Sequence, residues 1–281
     1  MNYQITGRVF LSDFKDTHEI LADIARRVSD GRRLIVTIGL PQAGKSMFIA
    51  SLIAFAFGQQ EDNACPFRSI GSQDENGVNE ILRALSESKV LPQTNADELK
   101  IIDLNMESRY RNRVVKVSLI DFAGEDIERL LGYRAEEEGK NNVEKISSIL
   151  QACVAQRSIF SIITPSNTIG DEDNRLYEFI SKLKENDRNL YQRVKFLFIL
   201  SKWDEVVGTN SPQKFLERNR QNLYREFLRS GKHGLLPFSV GNVVGQTIIR
   251  IDLESPKNFW YTLYRWSTGL HVLPWWKRWF S

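Results

Sequence analysis

Eight residues, Gly39-Leu40-Pro41-Gln42-Ala43-Gly44-Lys45-Ser46, fit the pattern G-x-x-x-x-G-K-[ST] at every fixed position. Glycines let the backbone close around a phosphate, so that successive N–H groups and the positive end of the following helix face the anion. Lys45 would reach the outer phosphates as a point charge and Ser46 would place its hydroxyl on Mg2+. Gly39, Pro41, Gln42, Ala43, Gly44 and Met47 would complete the cradle, although Pro41 has no N–H to give. The flanks suit such a loop: 32–38 is β-branched and apolar like a buried strand, and 47–57 is an apolar run of helical length.

A phosphate loop alone indicates a nucleoside phosphate, so the ends of the later strands decide more. Val117-Ser118-Leu119-Ile120 runs into Asp121-Phe122-Ala123-Gly124, an apolar strand ending in D-x-x-G. There Asp121 would hold Mg2+ through water, and the Gly124 N–H would meet a terminal phosphate. A second apolar run, 196–200, ends in Ser201-Lys202-Trp203-Asp204, and a third, 236–238, ends in Ser239-Val240-Gly241. Guanine presents two adjacent donors, N1–H and the 2-amino group, that one carboxylate accepts together; adenine has no such pair. Asp204 is the candidate acceptor, the aliphatic stem of Lys202 would cover one face of the base, and Ser239 with the Val240 N–H would support it from the other side. Taken singly, a Ser-Lys-x-Asp after a strand is an ordinary turn.

With these residues in this order, the chain resembles the Ras-like, translation-factor-related P-loop GTPases, whose guanine-reading motif is [NT]-K-x-D and whose last loop reads S-A. The resemblance covers about 32–240. It implies GTP or GDP and Mg2+ as ligands, with Ser46, Asp121 and one threonine of the first switch loop on the metal. Thr94 is the only threonine between the phosphate loop and Asp121, and it could also cap a turn. In the family the first position of the base motif ties the base loop to the phosphate loop; Ser201 keeps a hydroxyl there with shorter reach. Lys45, Thr94 and Gly124 are the implied catalytic groups. Where Ras-like members carry a water-orienting glutamine this chain has Glu125, which when ionised accepts but cannot donate. Gln42 could stand in for it. The resemblance therefore implies slow hydrolysis that a partner would stimulate. Asp121-Phe122-Ala123-Gly124-Glu125 and Pro237-Phe238-Ser239-Val240-Gly241 are also similar to the bacterial double-GTPase group.

Strands alternating with helices predict an α/β fold: a doubly wound, mostly parallel sheet with helices on both faces and one antiparallel edge hairpin. The reading divides the chain into an N-terminal helical extension (1–31), a GTPase domain (32–251) with an inserted loop (59–97), and a C-terminal helix with a Trp-rich tail (252–281). Ile20, Leu21, Ile24 and Val28 stripe the extension, and a short helix is expected over 78–88 in the insert. The hairpin pairs 99–106 with 113–120 across a charged turn. Helices are expected at 143–154, 176–183, 215–228 and 258–266, and further strands at 158–164, 194–200 and 235–240.

Composition narrows the function classes. A net charge of +3 over 281 residues gives no general attraction to nucleic acid. Two cysteines, Cys65 and Cys153, with His18, His233 and His271, show no zinc or disulfide pattern. The first residues lack a signal-peptide pattern and the longest apolar run, 47–57, is too short to span a bilayer, so a cytoplasmic location is expected. In 273–281 three tryptophans stand beside Lys277 and Arg278, which makes either a contact patch for a protein or membrane surface or a final core layer. Two function classes stay open: a GTP-dependent switch with a protein effector or activator, and a nucleotide-bound assembly module with negligible turnover. Ser201-Lys202-Trp203-Asp204 has no use in a P-loop kinase or ATPase.

Overall fold

Period-two alternation along the strands builds two apolar layers. In β2 (Arg33–Ile38), Leu34, Val36 and Ile38 face one side and Ile35 the other. In β6 (Ile159–Pro165) and β7 (Lys195–Ser201), Phe160, Ile162, Phe196, Phe198 and Leu200 join the first layer, while Ile159, Ile163, Leu197 and Ile199 join the second. Such strands, apolar on both faces, can only lie inside a sheet covered on both sides. The computed structural model describes residues 7–10, 17–58, 67–72, 75–89, 91, 94, 96, 98–108, 113–135, 142–156, 158–168, 170–186, 192, 194–206, 211–230, 233–245, 247–252 and 254–268.

The other strands of the main sheet are β1 (Gly7–Phe10), β3 (Phe67–Ser72), β4 (Glu98–Ser108), β5 (Arg113–Phe122) and β8 (Gly234–Pro237). Their order is β1-β4-β5-β2-β6-β7-β8, with β3 also on β4. From β5 to β8 every neighbour is parallel, and β4 pairs antiparallel with β5 as the expected hairpin. The hairpin is not the end of the sheet, because β1 and β3 both pair antiparallel with the far side of β4. The N-terminal segment thus contributes a strand as well as a helix.

On one face lie α1 (Thr17–Ser29), α5 (Asn142–Ala155), α6 (Glu172–Asn186), α7 (Pro212–Asn219) and α8 (Gln221–Ser230), with α4 (Gly124–Leu130) beside them. On the other lie α2 (Lys45–Gly58), α3 (Glu75–Ser86) and α9 (Glu254–Thr268). Helix α2 is apolar all round because α9 covers its outer side: the Trp260 indole N–H donates to the Leu52 carbonyl at 3.1 Å, and Phe48 meets Phe238 and Phe259 edge-on at 5.2 Å. Trp260 and Tyr264 are therefore core residues. The tryptophans of 273–281 lie outside the described residues. The expected 215–228 helix is two helices, α7 and α8, broken at Arg220. That side chain is buried and donates to Thr164 Oγ1 (3.2 Å) and the Pro165 carbonyl (2.9 Å) at the end of β6 and to the Thr168 carbonyl (2.8 Å) beyond it.

Two further features bear on the site. The strand expected over 235–240 ends at Pro237, and after three residues a separate hairpin follows, β9 (Gly241–Val244) with β10 (Thr247–Ile251). An isolated bridge joins it to Lys89 in the insert, the Ile248 N–H donates to the Ser88 carbonyl at 2.8 Å, and Ile248 packs with Met47, Ala50 and Leu85. Helix α1 is fixed by charge inside the fold: Arg27, fully buried, pairs with Asp23 and with Asp103 of β4 (3.1 Å), and Ser118 donates to Asp103 at 2.6 Å. Cys153 is a packing residue whose thiol burial pushes up to about 12; Cys65 lies outside the described residues. Among the described residues no helix is long and apolar enough to cross a membrane.

Candidate nucleotide-binding site

Parallel strands bring their carboxyl ends to one edge, and there the loops after β2, β5, β7 and β8 converge. The turn after β2 needs left-handed backbone at Gly44 (φ 88°), where glycine has no penalty, and at Gln42 (φ 63°), where a side chain does. A Cβ on Gly39 would press on the Ile163 carbonyl at 2.8 Å, so the first glycine is required by the neighbouring strand. Helix α2 starts at Lys45, and its N-terminus points into a cavity of about 710 Å³. Lys45 Nζ is held over the loop by the carbonyls of Gly39 (2.9 Å) and Leu40 (3.1 Å). Burial lowers the Lys45 pKa, and the carboxylates of Asp121, Asp126, Glu128 and Glu125 oppose that. A bound phosphate would act in the same direction as those carboxylates.

Beside the lysine, three oxygen-bearing side chains meet. Ser46 Oγ lies 3.3 Å from Thr94 Oγ1, which donates to Asp121 Oδ2 at 2.9 Å. Asp121 is buried, its other oxygen Oδ1 has no hydrogen-bond partner among the described residues, and desolvation raises its pKa against Lys45, Lys100 and the Thr94 bond. Hydroxyls and a carboxylate with an orphaned oxygen form an all-oxygen donor set of the kind Mg2+ takes, so the residues present fit that ion. When bound it would supply positive charge to phosphate oxygens. The Lys100 ammonium also reaches Thr94 Oγ1, at 3.0 Å.

At the other end of the cavity stands the base loop. Lys202 sits in left-handed backbone (φ 55°), which turns the chain into a single 3-10 turn, Trp203–Glu205, and presents Asp204 to the cavity. Ser239 Oγ donates to Asp204 Oδ1 at 2.7 Å and accepts from the Gly241 N–H at 3.0 Å, so Ser239 fixes the carboxylate. Ser201 Oγ reaches the Ala43 carbonyl at 2.7 Å despite its short side chain. Gly44 packs beside it: a Cβ built there would lie 3.6 Å from Ser201 Cβ, an ordinary contact distance. The loop after β8 is bonded in too, Trp203 N–H donating to the Phe238 carbonyl at 3.1 Å.

Of the expected site residues, Gln42, Ala43, Gly44, Lys45, Ser46, Met47, Thr94, Ser201, Lys202, Asp204 and Val240 line this one cavity. Gly39 holds Lys45, and Ser239 and Asp121 hold lining residues. Gly124 packs so tightly on Leu40 and Pro41 that a Cβ would collide with their backbone. Glu125 is turned away: its carboxylate pairs with Arg134 at 2.9 Å. Sequence reasoning missed Lys100, Arg134 and the cavity lining by Leu91, Gly241 and Gly245. A register argument across the β4–β5 hairpin would have found the first, since Lys100 lies opposite Asp121.

A phosphate loop, a D-x-x-G strand end and the Ser201-Lys202-Trp203-Asp204 loop meet around one cavity at the carboxyl ends of a mostly parallel sheet, the arrangement of a P-loop nucleotide-binding fold. Residues 36–157, which hold the phosphate loop, Thr94, Asp121 and Glu125, match the family Double-GTPase 1, linking the chain to the double-GTPase group over that segment. No curated protein matches it. Among solved structures, the chain is similar to Methanosarcina barkeri Roco2 RocCORdC bound to GDP, at 13% identity and TM-score 0.41, over 85% of this chain and 50% of that one. It is also similar to a variant of SsGBP, at 16% identity and TM-score 0.41, over 91% of this chain and 65% of the other. Toc33 from Arabidopsis thaliana shows 11% identity and TM-score 0.45, over 93% and 96% of the two chains. The chain thus spans half the length of the first of these and just under two thirds of the second.

Proposed function

We propose that this chain is a cytoplasmic, Mg2+-dependent GTP-binding switch that hydrolyses GTP slowly and depends on a protein partner for fast turnover. The observation that carries this reading is that Lys45 and Asp204 face one cavity from opposite ends, phosphate side and base side. The elements that would respond to the terminal phosphate are the Thr94 segment and α4. Thr94 would contact the metal, and the Gly124 N–H would contact the phosphate. Loss of the terminal phosphate would release both. Slow hydrolysis is supported by Glu125, whose carboxylate pairs with Arg134 and, when ionised, has no proton to donate. A partner that supplied an arginine or a water-orienting group would raise turnover by roughly 10³ to 10⁵. The segment 273–281 is proposed as a contact for that partner or for a membrane surface.

The experiment is a competition titration of the purified chain with GTP, GDP and ATP in the presence of Mg2+, followed by single-turnover hydrolysis of GTP. GTP and GDP bind and ATP does not, and phosphate appears slowly. Equal displacement by ATP would reject the guanine reading. The same Glu125–Arg134 pair favours a second reading, an assembly module that keeps its nucleotide; complete absence of phosphate release with and without candidate partners would select it.

A further inference from the structure

We propose that Lys100 is a built-in counter-ion of the Ser46–Thr94–Asp121 cluster and that Mg2+ must displace it to reach Thr94. The inference rests on the GTPase reading for the identity of the metal, and its argument is one of valence. A threonine hydroxyl has one proton and two lone pairs. Thr94 Oγ1 spends its proton on Asp121 Oδ2 at 2.9 Å, so in the 3.3 Å contact with Ser46 Oγ it is the serine that donates. The second lone pair accepts from Lys100 Nζ at 3.0 Å. Thr94 is thereby saturated, and no lone pair is left for a metal until one partner leaves.

Lys100 is the partner whose departure the structure permits. Ser46 is fixed at the start of α2, whereas Lys100 carries a long flexible stem whose side chain is 13% exposed. It reaches the cluster because β4 and β5 pair Lys100 with Asp121, which puts both on the same face of the sheet. Its charge offsets the burial of Asp121, and it also lies 3.9 Å from Glu98 Oε1, a carboxylate that can retain the ammonium beside the site. The ligand cluster is thus assembled and neutralised in advance by a cation of this chain, and the metal enters by exchange of one cation for another. Two consequences follow. Mg2+ binds more weakly than the donor set alone would allow, and the metal-free cluster is more stable than an uncompensated carboxylate would be.

The test uses the full chain and three variants, Lys100→Met, Lys100→Gln and Lys100→Arg. With a fluorescent, non-hydrolysable N-methylanthraniloyl GTP analogue bound, the state in which Thr94 would contact the metal, the Mg2+ concentration needed to slow nucleotide release by half falls about tenfold in Lys100→Met or Lys100→Gln, as expected when a unit charge close to a divalent ion is removed. It stays near the wild-type value in Lys100→Arg. Separately, nucleotide-free protein is melted without divalent ions and with saturating Mg2+. The neutral variants melt lower than wild type without the metal and gain more from it. An unchanged or increased Mg2+ requirement in neutral variants that still hold the fluorescent GTP analogue overturns the proposal. If wild type binds no GDP, the GTPase reading fails instead, and the melting comparison decides: neutral variants that gain no more from Mg2+ than wild type overturn the counter-ion role.

Discussion

Ser201 and Ala43 are 158 positions apart in the chain, and the serine hydroxyl donates to the alanine carbonyl at 2.7 Å with both groups buried. This single bond couples the loop that reads the base to the loop that holds the phosphates. Ser201→Ala leaves the Ala43 carbonyl unpaired and removes the coupling. We expect GDP and GTP affinities to fall roughly tenfold, in keeping with about 1–1.5 kcal/mol for such a bond, while the ratio of GTP to ATP affinity is kept. Calorimetric titration of wild type and variant checks both numbers; loss of selectivity with unchanged GDP affinity would contradict the coupling role.

Glu125 and Arg134 pair at the surface, so breaking the pair leaves stability nearly unchanged. Its effect on chemistry is larger in this account. Glu125→Gln supplies an amide that both accepts and donates, and single-turnover GTP hydrolysis rises. Arg134→Ala alone gives a smaller rise, because the freed carboxylate still cannot donate. A rate that is insensitive to Glu125→Gln and collapses in Gln42→Ala would move the water-orienting role to the phosphate loop.

Inside the fold, Asp103 accepts from Ser118 and from Arg27, and both charged side chains are fully buried. Removing Asp103 takes one of the two carboxylate partners of Arg27, leaving Asp23, and deprives the Ser118 hydroxyl of its acceptor, which costs about 1–3 kcal/mol. Asp103→Ala is therefore expected to lower the urea midpoint. A midpoint within experimental error of wild type for Asp103→Ala would show that α1 is not anchored through this pair.

His233 gives a pH dependence. Its Nδ1 accepts from the Phe196 N–H at 3.2 Å, and desolvation lowers its pKa from the ordinary 6.5 to about 4, with Glu226 opposing. The imidazole is neutral in the folded chain, and protonation destroys the acceptor. The unfolded state binds this proton first on acidification, so stability rises with pH in this window: the contribution is complete above about 6.5 and is lost as pH falls towards about 4. Its size is about 2 kcal/mol after allowance for partial exposure. Denaturation of wild type and His233→Phe between about pH 7 and about pH 4.5 should show a shallower slope in the variant; equal slopes would remove His233 from the explanation.

How much of this was readable beforehand follows from how local each signal is. The loop from Gly39 to Ser46, the strand end at Asp121 and the base loop at Asp204 are short runs in which spacing alone dictates backbone and chemistry, and the structure gathers them around one cavity. Thr94 was placed by resemblance and lies beside Ser46 and Asp121. What was missed depends on tertiary register. Lys100 matters only because β4 pairs with β5 at that offset, and β1 is a four-residue strand whose partner is remote. The α7–α8 break is driven by carbonyls at and just past the end of β6 that Arg220 finds in three dimensions, against a helical pattern that continues through it. The strand expected over 235–240 stops at Pro237, and the β9–β10 hairpin that follows was not anticipated, although glycines at 241 and 245 are the local sign of its turns.

The central claim is that Asp204, held by Ser239 at 2.7 Å, selects guanine. The most direct measurement is competition of GDP, ADP and xanthosine diphosphate for the cavity in wild type and in Asp204→Asn, read with fluorescent nucleotides. An amide can donate to the 2-oxo group of xanthine but cannot accept the guanine donor pair. Wild type should prefer GDP over ADP by at least about 10³, and the variant should lose GDP and gain xanthosine diphosphate, since a site built to hydrogen-bond its ligand rejects one that leaves groups unpaired. A variant that keeps wild-type preference for GDP over xanthosine diphosphate would contradict the account.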